Sequence, residues 1–232
     1  MTDAPTPMSF FQGLRTGLPF VLMIVPFGAV FGLIATEAGL PVVQVMVLSA
    51  LVIAGASQVT AIGLMEQGAP AAVVLGASLA VNMRMAMYSA SIAPWIGAAP
   101  LWQRAAAAYL LVDQVYALSI ARYEAEPRAS VRARVGYYAG VAAPVVPAWY
   151  GATLLGALFG DLIPDALPAG AIVPVVFAAL LAPLLRTRAH VAAAVVSSVL
   201  AVLLSGLPYS LGLPAAALAA MLTGAEIERR RA

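Results

Sequence analysis

Apolar runs of about 20 residues recur along this chain, each long enough for a helix to cross roughly 30 Å of hydrocarbon, where backbone N–H and C=O groups must pair internally. They fall near residues 17–36, 42–65, 70–95, 105–121, 137–159, 169–185, 189–205 and 209–224. The pattern predicts an all-α polytopic transmembrane bundle of about eight spans, forming one integral membrane transport domain over residues 1–232. The last four windows are punctuated by Pro164, Pro168, Pro174, Pro183, Pro208 and Pro214. The third is 26 residues long and polar in its middle, Asn82-Met83-Arg84-Met85-Ala86-Met87-Tyr88-Ser89-Ala90-Ser91, which predicts a break in that helix.

Positive residues are retained on the cytoplasmic side, so the arginines orient the spans. With eight spans and a cytoplasmic N-terminus, ten of the twelve arginines sort to the cytoplasm: Arg15, Arg122, Arg128, Arg132, Arg134, Arg186, Arg188, Arg229, Arg230 and Arg231. Arg104 falls in an outer loop and Arg84 within a span. An odd span count would place the terminal triplet outside, so both termini are expected in the cytoplasm. The first residues, MTDAPTPMSFFQGLR, lack the basic start, short apolar run and small-residue cleavage site of a signal peptide, so the first apolar segment is expected to stay.

Internal similarity suggests two halves, 16–121 and 137–224. Pro19, Gly28-Ala29, Phe31 and Gly32 recur 128 residues later as Pro147, Gly156-Ala157, Phe159 and Gly160. Leu79-Ala80-Val81 and Tyr88-Ser89 recur at an offset of 121 as Leu200-Ala201-Val202 and Tyr209-Ser210. A parallel four-span repeat and coincidence in an Ala/Val-rich chain both fit these matches.

Composition narrows the function classes. Of 232 residues, 63% are hydrophobic and 9% charged, far below the roughly 25% charged of a soluble domain. All twelve basic residues are arginine and ten acidic residues nearly balance them, which argues against nucleic acid as a partner. Cysteine is absent, which removes disulfides, thiolate catalysis and Cys-ligated metal. His190, the one histidine, follows Arg186 and Arg188 in a short loop, a poor setting for a metal or a proton relay. No metal or other cofactor is expected. The Arg-rich segments suit contacts with anionic headgroups of the bilayer.

Polar groups at bilayer depth are costly, about 2.5–3.5 kcal/mol for a central charge, so each needs a reason. Ala54-Gly55-Ala56-Ser57-Gln58 with Thr60 is one cluster, read either as a polar face on a substrate path or as interhelical hydrogen bonding. In the second cluster, Arg84 either meets a substrate carboxylate through its planar fork or forms a static ion pair. Its natural partner is Asp113, mid-way along AAAAYLLVDQVYALSIA with Gln114 beside it. That carboxylate serves as a structural counter-ion or as a group that takes up and releases a proton. Glu37 and Glu66 lie at span ends, where a carboxylate is ordinary. No span holds a histidine and Gln58 replaces the glycine of a GxSG turn, so a serine-based intramembrane enzyme is disfavoured. No GxxxxGK[ST] motif is present, which argues against ATP hydrolysis by this chain.

Four groups of residues occur in a specific order. They are Pro26-Phe27-Gly28 with Gly32, Leu48-Ser49 before AGASQ at 54–58, Asn82-x-Arg84 with Tyr88-Ser89, and Asp113 with Ala117-Leu118. In this combination the sequence resembles the AzlC family of bacterial branched-chain amino-acid exporters. The resemblance implies export of leucine, isoleucine, valine and also methionine by alternating access, in the bacterial cytoplasmic membrane, together with a small membrane subunit of the AzlD family. It implies substrate-binding or coupling roles for Ser57, Gln58, Asn82, Arg84, Tyr88, Asp113 and Gln114, and packing roles for Pro26, Gly28, Gly32 and Gly55. The family commonly has Arg-His and Asp-Glu where this chain has Arg84-Met85 and Asp113-Gln114, so two ionisable groups of that pattern are missing. A noncatalytic subunit that stabilises a partner, or an exporter of another small amphipathic metabolite, is the competing reading.

Overall fold

The computed structural model describes residues 8–159, 185, 187–207 and 212–229, and these are helical, with no strand among them. The chain divides into two compact units, Met1–Ile62 with Leu75–Ala169, and Gly63–Val74 with Gly170–Ala232. Among the described residues, three helices are long and apolar enough to cross a membrane. The first, Phe10–Glu37, joins α1 (Phe10–Gly17) to α2 (Val21–Glu37) through a 3-10 turn at Leu18–Phe20. The others are α5 (Ala71–Ile96) and α8 (Val131–Phe159).

Two sequence windows depart from this pattern. Window 42–65 is two short helices, α3 (Val42–Leu51) and α4 (Gly55–Glu66), separated by residues 52–54. Window 105–121 is likewise α6 (Leu101–Tyr109) and α7 (Asp113–Ala125), separated by residues 110–112. The expected break in the third span is absent: α5 runs unbroken through Asn82–Ser91. Arg84 and Ser91 find partners in Asp113 and Tyr116 of α7, so the backbone need not open there. None of the four short helices, at 10, 12, 9 and 13 residues, reaches the roughly 20 needed to span alone. In these two windows a pair of half-length helices takes the place of one continuous span.

Close contacts fix the helix directions. Gly13 packs on Tyr137 and Val141, Gly28 on Trp149 and Ala152, and Gly32 on Thr153 and Ala157, so α1, α2 and α8 run parallel. Gly156 rests on the Ala29 backbone, a tight contact between α8 and α2. Between α5 and α7 the contacts also rise together: Arg84 with Asp113, Tyr88 with Tyr116, Trp95 with Tyr123. Those helices are parallel too, so α6 must run back between them. Arg134, near the start of α8, stands 4.9 Å over the Trp95 ring and donates to the Trp95 and Pro127 carbonyls at 3.1 and 2.7 Å. The ends of α5 and α7 thus meet the beginning of α8.

At the other pair, the α3 residue Ser49 accepts from the indole of Trp149 at 2.8 Å, and Gly55 at the start of α4 lies beneath that ring and Phe27. Ser57 donates to the Ser78 carbonyl at 3.1 Å, and only residues 67–70 separate α4 from α5, so these two run antiparallel. Both short pairs are accordingly helical hairpins with tips at 52–54 and 110–112, about halfway along α8.

In the second unit, α9 (Arg188–Leu203) and α10 (Gly212–Arg229) form an antiparallel pair, with Gly212 on Leu204 and Gly224 beside Ala193. Thr187 caps α9 by accepting from His190 N at 3.1 Å. Window 169–185 lies outside the described residues apart from 185, as do residues 209–211 of window 209–224 and the matched Tyr209-Ser210.

Candidate functional site

Both tips open because their residues stop a helix without capping the next one. In the first, Val52 is extended (φ −135°, ψ 93°) and Val52-Ile53 are β-branched, while Ala54 C=O accepts from Gln58 N at 3.0 Å to start α4. Glycine is required at 55, since a Cβ there would lie 2.5 Å from the Phe27 ring and 2.7 Å from Trp149. In the second, Val112 is extended (φ −123°, ψ 163°), supplies no side-chain cap, and is followed at once by Asp113. The first N–H groups of α7 therefore have no capping side chain, and Asp113 sits where a helix dipole favours negative charge.

The two tips meet in one cleft. Ile53, Ala54, Gly55 and Ala56 come from the first hairpin, Val112, Asp113 and Gln114 from the second, and Arg84 with Met85 from the middle of α5. Ile24 and Phe27 of α2 and Val145, Val146 and Trp149 of α8 supply an aliphatic and aromatic wall. Arg84 Nη1 lies 3.0 Å from Asp113 Oδ2, with the side chains 31% and 39% exposed. The pair is intact yet accessible from the cleft, and Arg84 Nε is buried with no partner among the described residues.

Around this pair, Tyr88 stacks on Tyr116 at 4.1 Å and interacts with the Asp113 carboxylate. Tyr116 in turn donates to Ser91 Oγ at 2.9 Å. Tyr109, closing α6, donates to the Ala50 carbonyl at 2.8 Å and shares a 2.7 Å hydrogen bond with Tyr150, which links the two hairpins to α8.

Of the residues singled out from sequence, Arg84, Asp113 and Gln114 line the cleft and Tyr88 flanks it. Gly55 lines it as well as packing under the aromatic rings. Ser57 ties α4 to α5, Pro26 lies inside α2, and Asn82 is half-buried with its Oδ1 unpartnered. Gln58 is outside the cleft lining, 1% exposed, and neither end of its amide has a hydrogen-bond partner among the described residues. Phe27, Trp149, Ile24, Val145 and Val146 were missed as lining, because an apolar residue facing a cleft reads like one facing lipid.

The Gln58 amide yields a discriminating prediction. A buried unmade donor or acceptor costs about 1–3 kcal/mol, so Gln58→Met should leave the melting temperature unchanged or raise it. If the amide serves transport, the same variant loses flux. A lower melting temperature with normal flux would make it structural.

A family model described as AzlC protein matches residues 19–163, which include both hairpins and the whole cleft. The chain belongs to the AzlC family. An uncharacterized membrane protein of Archaeoglobus fulgidus is 34% identical over 147 residues, covering 63% of this chain and 61% of that protein. The inner membrane protein YgaZ of Escherichia coli K12 is 26% identical over 160 residues, covering 66% of this chain and 62% of YgaZ. The chain thus spans a little over three fifths of these relatives' length in the matched region. No solved structure matches. This is a membrane protein of the AzlC family, consistent with a transporter.

Proposed function

We propose that this AzlC-family protein exports neutral branched-chain amino acids, leucine, isoleucine and valine with methionine, from the cytoplasm by alternating access, with a small AzlD-like membrane subunit as its partner. The observation that carries the reading is the accessible Arg84–Asp113 pair in a cleft where two half-helices begin. A zwitterion has the two charges needed to replace this pair's partners. Its carboxylate takes the Arg84 guanidinium and the uncapped N–H groups at the start of α7. Its ammonium takes Asp113. The branched side chain lies against Ile24, Val145, Val146 and Trp149.

Substrate thus exchanges one ion pair for two, which avoids leaving either buried charge alone at bilayer depth. With methionine at 85 and glutamine at 114, Asp113 is the ionisable acid of the cleft lining, and any proton coupling there runs through it. The protein resides in the bacterial cytoplasmic membrane. The test is counterflow in liposomes: the chain reconstituted with its small subunit should concentrate labelled leucine against unlabelled internal leucine. Absence of counterflow for leucine, isoleucine, valine and methionine alike would remove the substrate assignment, and a noncatalytic subunit would then fit better.

A further inference from the structure

The sidedness of the hairpins follows from the helix directions and does not depend on the substrate. We propose that residues 21–66 and 71–125 form an inverted-topology repeat, each a full span followed by a re-entrant helical hairpin, the first hairpin entering from the extracytoplasmic face and the second from the cytoplasmic face.

The two halves match element by element. A span ends at Glu37 or Ile96, and four residues follow in each case. Proline at 41 or 100 then starts the hairpin in extended conformation, at ψ 147° and 149°. Each proline carbonyl accepts two N–H groups: from Gln44 and Val45 at 2.8 and 3.1 Å, and from Gln103 and Arg104 at 3.0 and 3.1 Å. The sequences there are Pro-Val-Val-Gln and Pro-Leu-Trp-Gln, 59 residues apart. A descending helix, a three-residue tip and a returning helix complete each half.

Direction is what makes the repeat inverted. The first span runs parallel to α8, whereas α5 ends where α8 begins and so runs against it. Hairpin 1 starts beyond the end of α2, and α4, antiparallel to α5, heads back the way α3 came. Hairpin 2 starts beyond the end of α5, and α7, parallel to α5, returns to the start of α8 at Tyr123, whose hydroxyl donates to the Arg134 carbonyl at 2.8 Å.

Charge supports the assignment of faces. With α2 and α5 crossing and each hairpin returning to the face it entered, the starts of α1 and α8 lie on one, cytoplasmic face. Arg104, the outlier of an eight-span count, now joins Arg15, Arg122, Arg128, Arg132 and Arg134 there. Glu37 and Glu66 fall outside. Only Arg84 lies at depth, in the cleft where the hairpin tips meet.

The absence of cysteine allows a direct test. Glu37→Cys, Glu66→Cys, Gln103→Cys and Glu124→Cys leave every arginine in place. Each is expressed singly in the full chain with its small subunit and exposed to a membrane-impermeant thiol reagent, first on intact cells and then after permeabilisation. The inverted repeat predicts full labelling of Glu37→Cys and Glu66→Cys in intact cells, and labelling of Gln103→Cys and Glu124→Cys only after permeabilisation. An uninterrupted crossing by the first pair would make Glu66→Cys label only after permeabilisation, and one by the second would give Gln103→Cys and Glu124→Cys opposite behaviour; either result overturns the proposal. A variant that labels in neither condition is read by protease cleavage at a site inserted at the same position, under the same two outcomes.

Discussion

Arg84→Ala is expected to abolish protection against toxic leucine-containing dipeptides in cells that also express the small subunit, with the protein still in the membrane at wild-type level. The guanidinium supplies both the partner of Asp113 and the donor for a substrate carboxylate, so its loss removes two charge-assisted interactions from one cleft. Each is worth roughly 1.5–3 kcal/mol, a tenfold to hundredfold effect on transport apiece. Arg84→Lys should recover little, because an ammonium cannot present the planar fork to two acceptors. Internal leucine should rise in the variant. Equal protection by wild type and Arg84→Ala would remove Arg84 from the site while leaving the fold as described.

The second large effect is on stability. Gly156→Val should lower the melting temperature in detergent by more than any cleft substitution, because a Cβ at 156 would overlap the Ala29 backbone across the α2–α8 contact. Backbone cannot step aside as a flexible side chain can, and overpacking of this kind costs about 1–3 kcal/mol or more. Gly151 on the same helix has nothing within 4 Å of where a Cβ would stand, so Gly151→Ala is the control and should melt like wild type. Equal melting of all three proteins would mean that α2 and α8 do not pack through these glycines.

Hydropathy made the three long spans legible, since α1–α2, α5 and α8 each bring an unbroken run of apolar residues. It could not separate a through-going helix from two half-helices meeting at depth, because lipid demands the same apolar composition of both. The deciding signals are local: Val52-Ile53 before Gly55, Val112 before Asp113, and the prolines at 41 and 100. The polar run 82–91 pointed to a break in α5, yet Arg84 and Ser91 are matched there by Asp113 and Tyr116 from α7. The cost of a charge at depth singled out Arg84 and Asp113 correctly as neighbours. It had nothing to say about Trp149, which closes the cleft and anchors α3 through Ser49.

Gly28, Gly32 and Gly156 of the matched glycine motifs sit where α2 and α8 approach closely, as small residues allow. The proposed inversion relates a different pair of segments, around the cleft, where Pro41-x-x-Gln44 and Pro100-x-x-Gln103 hold equivalent places.

The central claim is that a zwitterion exchanges partners with the Arg84–Asp113 pair. Competition in leucine counterflow addresses it with two analogues: leucinamide, which keeps the ammonium but lacks a carboxylate, and 4-methylpentanoate, which keeps the carboxylate but lacks the ammonium. If both charges are read, unlabelled leucine blocks counterflow while each analogue, at the same concentration, blocks it at least about tenfold less well. If either analogue competes as well as leucine, one member of the pair never meets the substrate, and the exchange of partners does not occur.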